Sequence, residues 1–184
     1  MMPPDSQKEL LSIARQTVEA VVKRQPIPQF AVTDPALMGH QGAFVTLRTH
    51  GDLRGCIGTF VSDEPLCQTI PEMAKAATTD DWRFINTPLR PQELADLHIE
   101  ISVLSPLQRI KDPLAEIQLG THGIYIKRGG ASGCFLPQVA TETGWSKEEF
   151  LSQCCAGKAG LSPNAWKDPS TEVYVFTAQI LEEQ

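Results

Sequence analysis

Residues 42 to 48 (Gly-Ala-Phe-Val-Thr-Leu-Arg) and 53 to 60 (Leu-Arg-Gly-Cys-Ile-Gly-Thr-Phe) are runs of strand-forming residues on either side of the turn cluster Thr49-His50-Gly51-Asp52. The pattern predicts a β-hairpin, and a hairpin commits its sheet to antiparallel pairing. A second hairpin is predicted from Gly123 to Arg128 and Ala131 to Leu136 across Gly129-Gly130. Residues 97 to 104 alternate, with Leu97, Ile99, Ile101 and Val103 on one face and His98, Glu100 and Ser102 on the other, as in a strand buried on one side. A final strand is expected over Glu172 to Glu182. With no βαβαβ alternation and no fixed-period repeat, the fold class is α+β, a mixed, mostly antiparallel β-sheet flanked by helices.

Helices fill the spaces between. Ser6 and Glu9 have the spacing of a capping box, and Leu10, Ala14, Val18, Val21 and Val22 then recur at helical intervals until Pro26, predicting a helix over about residues 6 to 24. Residues 25 to 40 carry Pro26, Pro28 and Pro35 without a period and read as an extended surface connection. Pro65 opens an Ala-rich helix reaching Ala77, in which Pro71 is the expected weak point. Gln138 to Thr143 and Ser146 to Cys155 also look helical. No Pro/Gly/Ser-rich linker separates independent domains, so residues 1 to 184 are expected to form a single domain, with two interdependent lobes as its elaboration.

Composition narrows the function. A formal charge of -6 argues against a phosphate-backbone binder, so nucleic acid is not an expected partner. No apolar run approaches the length of a membrane span and no signal-like apolar segment follows a basic start, so a cytoplasmic protein with no membrane partner is expected. The cysteines (Cys56, Cys67, Cys134, Cys154, Cys155) are odd in number and scattered, without a CxxC pair, which suits reduced thiols and gives no zinc site. Neither a GxGxxG, GxxxxGK[ST], GxSxG or HExxH motif nor an EF-hand loop occurs.

Leu53 to Gly58 is the segment best able to carry chemistry. Strand periodicity sends Leu53 and Ile57 to one face and brings Arg54 and Cys56 out together on the other. A guanidinium beside a thiol favours the thiolate, and Gly55 and Gly58 leave the backbone open to a ligand. The competing reading makes Cys56 a small buried hydrophobe, Arg54 an anchor for a carboxylate, and the glycines a bulge or a close-packing site.

Other candidates stand beside it. His122, in Gly120-Thr121-His122-Gly123, is either a proton-transfer group or a turn histidine bonded to the backbone. Gln138 and Glu142 share a helical face and either point into a pocket or cap and solvate the helix. Asp80-Asp81-Trp82-Arg83-Phe84 sets a carboxylate beside Arg83 and two aromatics, as a surface ion pair or the rim of a cleft.

Taken in order, Leu53-Arg54-Gly55-Cys56-Ile57-Gly58, Asp81-Trp82-Arg83-Phe84, Ile101-Ser102-Val103-Leu104-Ser105-Pro106, His122-Gly123-Ile124, Phe135-Leu136-Pro137-Gln138-Val139 and Lys158-Ala159-Gly160-Leu161 resemble the AMME chromosomal region candidate protein family over roughly residues 10 to 182. The hexapeptide LRGCIG is that family's hallmark. Two departures stand out: Trp82 where the family often has proline, and Gly157 as an extra residue before Lys158. The resemblance implies an α+β fold in two unequal lobes, the smaller inserted in the larger. It also implies a pathway shared with Memo-type proteins and radical S-adenosylmethionine proteins, and no defined reaction or cofactor.

Two functions are therefore expected. In the first, the chain is an enzyme or substrate-handling component in which Arg54 binds an anion, Cys56 is nucleophile or ligand, His122 moves a proton, and Gly55, Gly58, Gln138 and Arg83 help hold a small molecule. In the second, it is a non-catalytic adaptor that presents the glycine-rich hairpin to a partner protein.

Overall fold

The computed structural model describes residues 1–183. Among the described residues, five α-helices and two four-stranded antiparallel sheets make up an α+β fold. The described residues divide into two compact units: residues 1–104 with 179–183, and residues 105–178 inserted between them.

In the first unit, α1 (Pro4–Val22) and α2 (Leu66–Thr79) cover one face of a sheet ordered β2-β1-β3-β8, with β1 Ala43–Thr49, β2 Asp52–Thr59, β3 Leu97–Leu104 and β8 Ala178–Glu182. The alternation read from the sequence selects that face: Val45, Leu47, Ile99 and Ile101 meet Leu10, Ala14, Val18, Ile70 and Ala74 in one core. Each fully buried aliphatic side chain here contributes about 1.5–3 kcal/mol by leaving water. The β1–β2 turn works because His50 and Gly51 both take positive φ (52° and 86°), the backbone twist that suits a two-residue hairpin.

Several local expectations are corrected. Helix α1 begins two residues early on Pro4, and Ser6 forms no capping box. Its hydroxyl instead donates to Asp34 Oδ2 at 2.5 Å, which ties the helix to the 25–40 connection. That connection is no simple surface strand: Asp34 caps a 3₁₀ turn, Pro35–Leu37, whose Leu37 is fully buried. Pro71 lies inside α2 without ending it. The last strand is really two. β7 (Glu172–Phe176) stays in the second unit, and β8 returns to the first sheet. At that crossing the Ser105 N–H donates to the Thr177 carbonyl and the Thr177 N–H to Ser105 Oγ, both at 2.9 Å.

In the second unit, β4 (Gln108–Ile110), β7, β5 (Gly123–Arg128) and β6 (Ala131–Phe135) form a sheet ordered β4-β7-β5-β6. The short α3 (Pro113–Glu116) precedes β5, while α4 (Pro137–Thr143) and α5 (Lys147–Gly157) follow β6. Ile124, Ile126, Phe135, Phe150, Leu151, Val173 and Val175 fill its core, together with Cys154 and Cys155, both with no exposed surface. All five cysteines are free thiols. Among the described residues no helix is long and apolar enough to cross a membrane.

Candidate functional site: the LRGCIG strand and the turn that follows α2

Cys56 lies opposite Thr46 on β1, and Thr46 lies opposite Glu100 on β3, so a polar row crosses the sheet on the side away from the helices. The next row is Gly58, Phe44 and Ser102. The register slips by one between Leu47 and Arg48: Leu47 pairs with Gly55 but Arg48 with Leu53. Arg54 is therefore the unpaired residue of a β-bulge, a device that re-aims a side chain. Leu53, opposite Arg48, does not share the core-facing side of Ile57, contrary to simple alternation.

The bulge sends Arg54 to a carboxylate. Its Nε donates to Glu93 Oε1 at 3.0 Å, a terminal nitrogen donates to Oε2 at 3.3 Å, and the other donates to the Thr87 carbonyl at 3.2 Å. Glu93 also accepts the Arg90 N–H at 2.9 Å, at the start of the 3₁₀ turn Pro91–Ala95. A hollow of about 470 Å³ adjoins this pair, lined by Arg54, Thr87, Arg90, Gln92 and Glu93 among others.

The cation whose field reaches the Cys56 sulfur is Arg83. Asp81, only 3% exposed, organises that side. Its carboxylate accepts Arg83 Nε at 2.9 Å, a terminal Arg83 nitrogen at 2.7 Å, the Arg83 N–H at 3.2 Å and the Cys56 N–H at 2.9 Å. The Arg83 hydrogen bonds hold the Asp81 carboxyl below the usual carboxylate range against the opposing effect of burial. The Arg83 guanidinium lies over the Phe84 ring, 5.5 Å from its centre. Trp82, beside it, is 78% exposed, and Ile85 is also exposed.

The thiol itself is not activated. Burial pushes Cys56 above the ordinary thiol range, and Asp81 and Glu100 push the same way. The hydrogen bond from Thr46 Oγ1, 3.3 Å from Sγ, and the Arg83 charge oppose this without reversing it. A β-carbon added at Gly55 would lie 2.0 Å from the Ala77 carbonyl oxygen, and one at Gly58 would lie 2.3 Å from the Phe44 ring. Both glycines thus admit the chain's own atoms: the last turn of α2 on one face and an aromatic on the other.

His122 and Gln138 belong to the second unit, whereas Arg54, Cys56, Gly55, Gly58 and Arg83 belong to the first. The Nδ1 of His122 accepts the Gln118 N–H at 3.2 Å, and the His122 N–H donates to the Gln118 carbonyl at 2.8 Å. A neutral His122 therefore carries its proton on Nε2. Gln138, half-buried in the first turn of α4, is already engaged within the protein. Among the described residues no three His, Cys, Asp or Glu side chains gather as a metal site would need.

The sequence alone gave Glu93, Thr46 and Glu100 no part in the site, and it left the carboxylate beside Arg83 as a surface ion pair or the rim of a cleft. Thr46 was reachable by counting register outward from the hairpin turn, but only with the bulge allowed for. Glu93, from a 3₁₀ turn far along the chain, left no local signal.

The chain is similar to known proteins along nearly its whole length. Residues 11–181 match the AMMECR1 family. A Thermococcus gammatolerans protein is 42% identical over 185 residues, covering 95% of this chain and 89% of its own. A Nanoarchaeum equitans protein is 42% identical, with 95% and 98% covered. The crystal structure titled as uncharacterized protein PH0010 from Pyrococcus horikoshii superimposes with a TM-score of 0.89 at 37% identity, covering 100% of this chain and 94% of that one. From the hallmark strand to the inserted second unit, this chain belongs to the AMMECR1 family.

Proposed function

We propose that the chain is a binding component, which holds a partner protein on the surface formed by the LRGCIG strand and the turn at residues 81–85, and that Cys56 has a structural part in it. One observation carries this reading: a buried carboxylate, Asp81, fixes both the Cys56 backbone and the Arg83 guanidinium. The turn is pre-ordered, so Trp82 and Arg83 meet a partner without a large loss of conformational freedom. Trp and Arg are the residue types that most often dominate interface energies. The Memo-type and radical S-adenosylmethionine proteins implied by the family are the first partners to try.

Purified chain mixed at micromolar concentration with each such protein of the same organism tests the reading. Complex formation that survives Cys56→Ser and is lost in Trp82→Ala supports it. No complex with either protein, or loss on Cys56→Ser alone, argues against it.

A second reading, an enzyme or substrate-handling site for a small anion, is favoured by the hollow beside Arg54 and Arg90. There a ligand carboxylate would compete with Glu93 for the Arg54 fork. Binding of a small dicarboxylate that Arg54→Met abolishes would support this reading, and binding indifferent to Arg54→Met would remove it.

A further inference from the structure

The second unit carries a cavity of about 530 Å³ between β4 and the loop leading into β7, and three cationic side chains, Arg109, Lys111 and Lys167, line it. In a chain of net charge -6, such a grouping is unusual. Thr171 lines the same cavity, is 8% exposed, and its hydroxyl is buried without a hydrogen-bond partner. A buried hydroxyl that donates to nothing is costly unless a ligand satisfies it.

The neighbouring carboxylates are already occupied. Asp168, which also lines the cavity, accepts the Ser170 N–H at 2.9 Å and the Ser170 hydroxyl at 2.8 Å, and pairs with Arg128 at 3.2 Å. These donors hold its carboxyl below the usual range. Glu172 pairs with Arg109 at 3.3 Å, and Glu116 accepts the N–H groups of Lys111 and Asp112. Among the described residues neither Lys111 nor Lys167 has a carboxylate partner; the Lys167 ammonium lies 5.0 Å from the centre of the Trp166 ring.

We infer that this cavity is a binding site for a small phosphate monoester, its oxyanion held by the Arg109, Lys111 and Lys167 cations and the Thr171 hydroxyl. A dianion matches several cationic donors lining one cavity better than a single carboxylate does. The cavity is large enough for an organic remainder beside the phosphate, and the Trp166 indole offers that remainder an apolar wall.

The test is an amide NMR titration of the full chain at low salt with inorganic phosphate, phenyl phosphate and acetate. Saturable shifts at residues 109–111 and 166–171 are expected with both phosphates, with phenyl phosphate the tighter. Thr171→Val should weaken binding about three- to tenfold, the share of one hydrogen bond, and Thr171→Ser should retain it. Lys167→Ala should weaken it as well. Equal affinity for the two phosphates would keep the oxyanion site and assign it to free phosphate. No saturation by about 10 mM, an affinity weaker than a useful site offers, would overturn the inference. Acetate binding as well as phosphate, or a folded Thr171→Val binding like the parent, would overturn it too.

Discussion

The backbone N–H of Cys56 donates to the carboxylate of Asp81 at 2.9 Å, so the LRGCIG strand and the turn after α2 are one hydrogen-bonded unit. The same carboxylate neutralises Arg83. The hallmark hexapeptide is thereby joined to the Asp-x-Arg-Phe segment by physical contact as well as by their shared order in the chain.

Removing Asp81 strands both partners. Asp81→Ala should destabilise the chain by about 2 kcal/mol, less than for a fully buried ion pair because the Arg83 side chain is 40% exposed. Asp81→Asn, which keeps an acceptor for the Cys56 N–H, should cost less. Urea unfolding of both variants measures the difference.

Acid should act through the same group. The Asp81 carboxyl titrates lower in the folded chain than in the unfolded one. Its stabilisation is therefore complete above the ordinary carboxylate range near pH 4 and is lost as pH falls through its depressed folded value. Stability measured from pH 6 down to pH 3 should fall less steeply in Asp81→Asn than in the parent.

Gly55 is a packing requirement. A β-carbon there would sit 2.0 Å from the Ala77 carbonyl oxygen, so Gly55→Ala should destabilise by about 1–3 kcal/mol as α2 is forced from the sheet. Gly130→Ala, where nothing lies within 4 Å, should change thermal stability little.

Arg54 and Glu93 should show modest coupling. Their side chains are 15% and 30% exposed, so a double-mutant cycle with Arg54→Met and Glu93→Gln should give about 1 kcal/mol. The coupling should shrink in high salt.

Much of this architecture was legible in the residues. Alternation at Leu97 to Val103 and the glycine turns at Gly51 and Gly129 gave the strands and their antiparallel pairing, because a strand with one buried face cannot hide its period. What stayed hidden depends on contacts distant in sequence. Nothing local marks the break at Thr177 that sends β7 and β8 to different sheets. The residues allowed either an Arg54–Cys56 pair or an Arg54 that anchors a carboxylate beside a bulge; the hairpin's register gives the second, with Glu93 as the carboxylate that no local signal named. Asp81 was visible as a carboxylate beside an arginine, but its burial was not, since that depends on β2 running past the end of α2.

The state of the Cys56 thiol tests the account most directly. Burial raises its pKa, so thiolate should be scarce at neutral pH. Iodoacetamide labelling of Cys56, followed by mass spectrometry of its peptide from pH 6 to pH 10, should give a rate slower than that of a free thiol at pH 7.5. That rate should still be climbing above the usual thiol range of about 8.5. Labelling faster than a free thiol at pH 7.5, with a plateau below that range, would make Cys56 an activated nucleophile and contradict the binding-component reading.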